Sequence, residues 1–259
     1  PLLRRDLPRL IGLLAEIPGL EDVALTTNGT QLAKLAAPLR AAGLHRVNVS
    51  LDSLDRETFG RMAQRDPLQQ VLDGLDAAVA AGLWPIRINC VPIRGLNDHE
   101  ALAFAEFART RGFEVRFIEF MPLEHGDRWG RDVLVPGTEL RDRIGAVHPL
   151  VPDPDCDPHS PSRDWRFADG APGLLGFIDA VTQPFCASCN RIRLTADGKV
   201  RTCLFSVREH DLKGLLRSGA SDEEILLRLH GVVATKELKH HVNDGQYVKP
   251  ERTMSRIGG

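Results

Sequence analysis

Cys186-Ala-Ser-Cys189 sets two thiols three positions apart, and Cys203 follows after thirteen further residues. Asp197-Gly198, between Leu194 and Val200, is a hairpin-turn pair that folds the third thiol back toward the first two. Two thiolates at this spacing can grip one metal ion or one cluster. Three thiolates are an incomplete set: structural zinc takes four ligands, whereas a catalytic zinc or a site-differentiated iron–sulfur cluster leaves one position open. His210 could complete the set, as could Cys156 from a loop rich in Pro and Asp. The bland alternative is a zinc-ribbon or redox-inert pair. Cys90 lies within an apolar run and reads as a small buried residue. Arg191 and Arg193 come directly after Cys189. On a strand their guanidiniums share one face, and two planar forks beside an open metal suit a phosphate-bearing ligand. A solvated strand face is the competing account. Arg201, across the hairpin, is placed to join them.

Thr26, Ser50, Asp52, Glu119 and Met121 each lie at or just past the C-terminal end of a predicted strand, where parallel α/β sheets place ligands. Each taken singly also fits turn chemistry or helix capping. Arg87, between Ile86 and Ile88, points into a lumen or onto a polar face. His240-His241 has no metal-ligand spacing and reads as solvated. No P-loop, dinucleotide fingerprint or nucleophile elbow is found in the chain.

The elements that must position these residues alternate in the first half. Helices are predicted over Asp6–Ile17, Gln31–Ala42, Asp55–Arg61, Leu68–Ala81 and Asp98–Arg111, several ending at glycine. Strands are predicted over Val23–Thr26, Arg46–Ser50, Ile86–Val91 and Val115–Phe120. This alternation implies right-handed βαβ units and a parallel sheet. Four strands are too few for a closed eight-stranded barrel, which leaves an open sheet or a partial barrel. Beyond Pro122 the texture changes. Val151–Ser162 reads as loop, Phe177–Val181 and Arg191–Leu194 as strands, and Asp222–Leu229 as a helix capped by Ser221. The final stretch, His240–Gly259, shows no period.

Composition narrows the function. The 259 residues are 42% hydrophobic and 26% charged, an ordinary globular balance. Lys+Arg is 33 against 35 Asp+Glu, a net charge of −2, which argues against an electrostatic binder of nucleic acid or of membranes. No apolar run nears the ~18 residues of a spanning helix and no export signal is seen, so a cytoplasmic location is expected. An odd count of five cysteines fits metal or thiol chemistry better than a disulfide framework.

Leu25-Thr-Thr-Asn-Gly29, Val47-Asn-Val-Ser-Leu-Asp52, Arg116-Phe-Ile-Glu-Phe-Met121, Phe185-Cys-Ala-Ser-Cys-Asn-Arg-Ile-Arg193 and the ending Ile257-Gly-Gly259 resemble the GTP 3',8-cyclase family. These are radical S-adenosylmethionine (SAM) enzymes of molybdenum cofactor biosynthesis. The resemblance runs over essentially the whole chain. It implies an α/β fold, an incomplete βα barrel of the radical SAM type followed by a C-terminal cluster-binding segment. Residues 1–121 would be the partial barrel, and residues 122–259 the segment with the cysteines and a Gly-Gly tail.

The resemblance also implies two [4Fe-4S] clusters. One, on a C-x3-C-x2-C loop, cleaves SAM, and the 5'-deoxyadenosyl radical takes hydrogen from ribose C3' of GTP. The C3' radical then attacks guanine C8. The other cluster would sit on Cys186, Cys189 and Cys203. Thr26, Arg87, Arg191 and Arg193 would contact GTP. Arg87 stands where the family commonly has a lysine, a planar fork replacing a point donor. Ser50 and Met121 would contact SAM, and Gly258 and Gly259 would form a functional tail reaching the substrate site. The C-x3-C-x2-C motif is absent from these residues, and Pro1 matches the end of the family's Gly-Gly-Glu-Pro. An N-terminally truncated chain, inactive alone, is therefore expected. Partners would be GTP, a reductant and a downstream cyclic pyranopterin monophosphate synthase, with a homodimer left open and neither nucleic acid nor membrane involved. The rival accounts are a non-catalytic cluster- or zinc-binding barrel fragment and another radical SAM enzyme with an auxiliary cluster.

Overall fold

Leu7, Leu10, Ile11 and Leu14 recur at helical spacing, and Pro8 falls in the first turn, where its missing N–H costs no hydrogen bond. They form α1 (Leu7–Ala15) in a computed structural model that describes residues 1–64, 67–124, 128–245 and 247–257. The same pattern of apolar stripe and stop continues through β1 (Ala24–Thr27), α2 (Leu32–Ala41), β2 (Arg46–Ser50), α3 (Arg56–Ala63) and α4 (Leu68–Ala80). It goes on through β3 (Ile86–Cys90), α5 (Ala101–Arg111) and β4 (Glu114–Ile118). After α6 (Gly137–Gly145) come β5 (Leu150–Pro152), β6 (Arg163–Phe167) and β7 (Leu174–Ile178).

Seven strands make one sheet in the order β1-β2-β3-β4-β7-β6-β5. β1 to β4 and β7 run parallel, β6 is antiparallel to β7, and β5 is antiparallel to β6. Among the described residues the sheet does not close into a barrel. Leu25, Val47, Val49, Ile86, Ile88, Val115, Phe117 and Leu175 are buried on one face in a single core with Leu32, Leu39, Val71, Leu75, Phe104 and Ala108 of the helices.

Several sequence expectations need correcting, among them the predicted strand Phe177–Val181, which is the end of β7 and stops at Ile178. The predicted strand Val115–Phe120 ends at Ile118, so Glu119 and Phe120 lie beyond it. The stretch Val151–Ser162 is not all loop, because Val151 and Pro152 belong to β5. Pro152 sits on a terminal strand of the sheet, where a missing N–H breaks no ladder. β6, Arg-Asp-Trp-Arg-Phe, escaped the pattern because its charges mask the alternation.

The chain divides into two compact units. One comprises residues 1–120, 133–156 and 162–178, and the other residues 121–132, 157–161 and 179–259. The second holds a three-stranded antiparallel sheet of β8 (Arg193–Leu194), β9 (Lys199–Arg201) and β10 (His210–Asp211), ordered β10-β9-β8. It also holds α7 (Lys213–Arg217) and α8 (Asp222–Ala234). Ser221 caps α8 as expected and completes a capping box with Glu224. Val200, Leu212 and Val232 form a small core of this unit. No helix among the described residues is long and apolar enough to cross a membrane.

Candidate functional site

In the first unit, strand alternation puts polar residues on the face opposite the helices. Register aligns Thr26, Asn48, Arg87 and Glu114 as one row across β1 to β4. Ser50, Asn89, Arg116 and Gly176 form a second row across β2, β3, β4 and β7. A parallel sheet ordinarily buries apolar side chains on both faces, so a polar second face is built for something other than packing. Asn48 Nδ2 donates to Thr26 Oγ1 (3.1 Å), and Arg46 Nη1 donates to Asn48 Oδ1 (3.3 Å). Arg87 Nε is ion-paired with Glu114 Oε2, and Arg116 Nη2 lies 3.6 Å from the same oxygen. Burial, then the charge of Arg87, lowers the pKa of Arg116 against the pull of Asp164 and Glu114. Its Nε is buried without a hydrogen-bond partner. Gly176 makes room for this row: a Cβ there would sit 2.2 Å from Ser162 Oγ and 2.7 Å from Asp164 Oδ1.

Ser50 is exposed at the end of β2. Asp52, just beyond it, braces the loops. Its Oδ1 accepts from Val91 N (2.9 Å), its carbonyl accepts from Asn97 Nδ2 (2.6 Å), and burial raises its pKa. Cys90 is buried, and its thiol is pushed well up by burial first and then by Asp52 and Glu100. Cys156 Sγ donates to the Ser162 carbonyl at 3.4 Å.

The second unit carries the cysteines. Phe185 opens a single 3-10 turn, Cys186–Ser188, and the Cys189 N–H donates to the Cys186 carbonyl (3.2 Å). Cys189 caps that turn in an extended conformation. β8 and β9 then pair Leu194 with Val200 and Arg193 with Arg201, through the turn at Asp197-Gly198. Gly198 has φ +84°, and a Cβ there would meet Lys213 Cβ at 2.6 Å, so the turn needs glycine. Cys203 follows β9. It lies within electrostatic reach of Cys186, and Arg193 is within reach of both Cys189 and Cys203. The three thiols are half-buried and free of disulfides.

Burial opposes ionisation of Cys189, but the Arg191 N–H and guanidinium, with Lys236, outweigh it and lower the pKa. Burial wins at Cys203 and raises that thiol. No group of three or more His, Cys, Asp or Glu among the described residues is drawn together closely enough to hold a metal ion, so neither His210 nor Cys156 closes such a set.

Arg191 precedes β8 instead of lying on it. Its guanidinium sits 4.9 Å over the Phe185 ring, with Nη2 3.6 Å from Cys189 Sγ. Burial, then Arg191, lowers the pKa of Arg193. The Nε of each is buried without a partner. Arg201 lies opposite Arg193 across the hairpin and its Nε is likewise unpartnered, but its Nη groups are already spent. It is 2% exposed, paired with Glu209 (2.8 Å) and donating to the Leu204 and Ser206 carbonyls. His240 is not solvated either: its Nε2 lies 2.8 Å from the Ala180 carbonyl and its ring packs 4.7 Å from Phe205. Met121 is half-buried, its carbonyl accepting from Leu123 N (2.7 Å). Asn48, Asn89, Arg116 and Lys236 are not singled out by residue type or spacing. Asn48 and Arg116, each inside one of the family-like motifs, carry a sequence signal that could point to them; Asn89 and Lys236 carry none.

The tail glycines Gly258 and Gly259 lie outside the described residues. The segment before them is tied down. Arg252 donates to Asp197 Oδ1 (3.0 Å) and Oδ2 (2.7 Å) and to Glu209 Oε2 (2.9 Å), so the hairpin turn holds it. Replacing Arg252 by alanine should speed amide exchange over 247–257 by about two- to fivefold and leave β8 and β9 unchanged. Hydrogen–deuterium exchange checks this, and unchanged tail exchange would mean that the clamp holds nothing.

A family profile described as Molybdenum Cofactor Synthesis C matches residues 113–242, and one described as Radical SAM superfamily matches residues 1–108. A GTP 3',8-cyclase of Rhodopirellula baltica is 42% identical over 261 residues, covering 100% of this chain and 73% of the relative. One from Paenarthrobacter nicotinovorans is 44% identical over 274 residues, covering 100% and 77%. One from Moorella thermoacetica is 43% identical over 259 residues, covering 100% and 79%.

Proposed function

The chain belongs to the GTP 3',8-cyclase family of radical SAM proteins, and on that premise we propose that its two polar surfaces serve the cyclisation of GTP in molybdenum cofactor synthesis. The observation that carries the assignment is Arg193. Its Nε is buried and unpartnered, and its charge lies within reach of both Cys189 and Cys203. A cation left in that state is poised for an anionic oxygen, and the phosphates of GTP supply several.

The donor set suits a cluster in number and chemistry, although the described residues do not draw the three thiols together as a ready metal-binding group. Cys186, Cys189 and Cys203 are free thiols, Arg191 and Lys236 lie within electrostatic reach of Cys189, Lys236 and Glu237 within reach of Cys203, and three thiolates are the number that leaves one iron open. Those three residues would hold a [4Fe-4S] cluster, which when bound offers that open iron to the guanine. Arg191 and Arg193 bind phosphate oxygens. Arg191 is held in place by the Phe185 ring beneath it. On the first unit Thr26 orients the substrate through a hydroxyl already fixed by Asn48. Arg87 and Arg116 share Glu114, which keeps both guanidiniums at the polar face and leaves Arg116 Nε free to donate. Ser50 and Met121 hold SAM, and the Gly258-Gly259 end serves the substrate site. A reductant supplies the electron, and a cyclic pyranopterin monophosphate synthase consumes the product.

Radical generation needs ligands that these 259 residues do not carry, since none of the five cysteines stands in a C-x3-C-x2-C motif. With dithionite, SAM and GTP, the 259-residue chain should form no 5'-deoxyadenosine. A chimera carrying the C-x3-C-x2-C segment of a relative should form it, together with cyclised GTP. Chromatography of the quenched mixtures checks both, and 5'-deoxyadenosine from the unextended chain would overturn the account.

A further inference from the structure

Lysine near a helix C-terminus usually caps its own last carbonyls. Lys236, directly after α8, does something else. Its Nζ donates to the Arg191 carbonyl (2.9 Å) and to the Thr202 carbonyl. The first carbonyl lies two residues after Cys189, the second one residue before Cys203, and the β8–β9 hairpin separates them. Glu237 reinforces the hold, its Oε2 accepting from Thr202 Oγ1 (2.6 Å). Thr202 is thus gripped by main chain and side chain, immediately before a cysteine. The base of the staple is firm, because α8 is capped by Ser221 and Glu224 and buries Val232 in the small core. The ammonium also stands within electrostatic reach of both the Cys189 and Cys203 thiols.

We propose that Lys236 is a positioning residue for the cysteine set: it ties the segment after Cys189 to the strand end before Cys203 and keeps a fixed positive charge beside whatever the thiolates hold. The inference rests on the cluster assignment made above. Separation of the two segments would cost a bound cluster one or more ligands. Loss of the charge would make an anionic cluster harder to reduce, since reduction adds a further negative charge.

The test uses the 259-residue chain, reconstituted anaerobically with iron and sulfide, as wild type, Lys236→Met and Lys236→Arg. Lys236→Met is expected to lose iron to a chelator at least about tenfold faster than wild type, and its remaining cluster to have a lower midpoint potential by electron paramagnetic resonance. Lys236→Arg, which keeps charge and donors, should restore most of both. A stripping rate within about twofold of wild type and an unchanged potential in Lys236→Met would overturn the proposal, as would an arginine variant no better than the methionine one. Should methionine unfold the chain, Lys236→Gln, a neutral donor, decides by the same two readings. Cys189→Ser in the same series separates the two claims: a full cluster in that variant refutes the cysteine assignment, whatever Lys236 does.

Discussion

Cys189→Ser should abolish cluster binding by the chain. Anaerobic reconstitution of wild type is expected to give about four irons and four sulfides per chain, and the variant less than about a tenth of that. The reason is the chemistry of the ligand. The pKa of Cys189 lies below its ordinary value, pulled there against burial by Arg191 and Lys236, so this thiol is readily presented as thiolate. A serine hydroxyl in the same place stays protonated at neutral pH and is a far poorer ligand for iron. Folding should survive, because Cys189 is half-buried on a short turn and contributes little to either core. Circular dichroism and melting of the metal-free proteins should therefore coincide. Cys156→Ser is the control and should keep the full cluster, since that thiol bonds the Ser162 carbonyl in the first unit. Full iron and sulfide in Cys189→Ser, or their loss in Cys156→Ser, would show that the ligand set is wrong.

Arg193→Ala should weaken GTP binding by the reconstituted chain by at least about tenfold. A charge-assisted contact to phosphate contributes roughly 1.5–3 kcal/mol, and about 1.4 kcal/mol is a factor of ten. Arg193 lies beside Arg191, whose charge disfavours its own, and an incoming phosphate relieves that repulsion. Guanosine, which has no phosphate, should bind the variant as it binds wild type. Arg193→Lys should fall between, because a point charge cannot reproduce a planar fork. Isothermal titration with GTP and with guanosine measures all of these. Equal GTP affinity in wild type and Arg193→Ala would return both arginines to an ordinary solvated surface.

Much of the fold and of the site is legible in the order of the residues. Apolar side chains at helical spacing, glycine stops and short β-branched runs locate α1, α2, α4, β1, β2 and β3 to within about two residues, because those signals are local and unopposed. The Asp197-Gly198 turn and the Ser221 cap are equally readable, since each rests on neighbours in the chain. The cysteine spacing and the two arginines that follow it name the chemistry by residue type alone.

What the sequence cannot decide is which charges are already spent. Arg191, Arg193 and Arg201 look alike along the chain, and the Nε of each is buried without a partner, yet only Arg201 has its Nη groups spent on Glu209 and on the Leu204 and Ser206 carbonyls, while no acidic side chain among the described residues pairs with the other two. Arg87 finds Glu114 only because β3 and β4 pair in one register. Lys236 reaches Arg191 and Thr202 across distances that no local pattern encodes. The strands β5 and β6 likewise exist by pairing and not by propensity. Local order sets which groups a segment carries. Only long-range register and burial determine which of those groups meet a partner and which are left to bind something else.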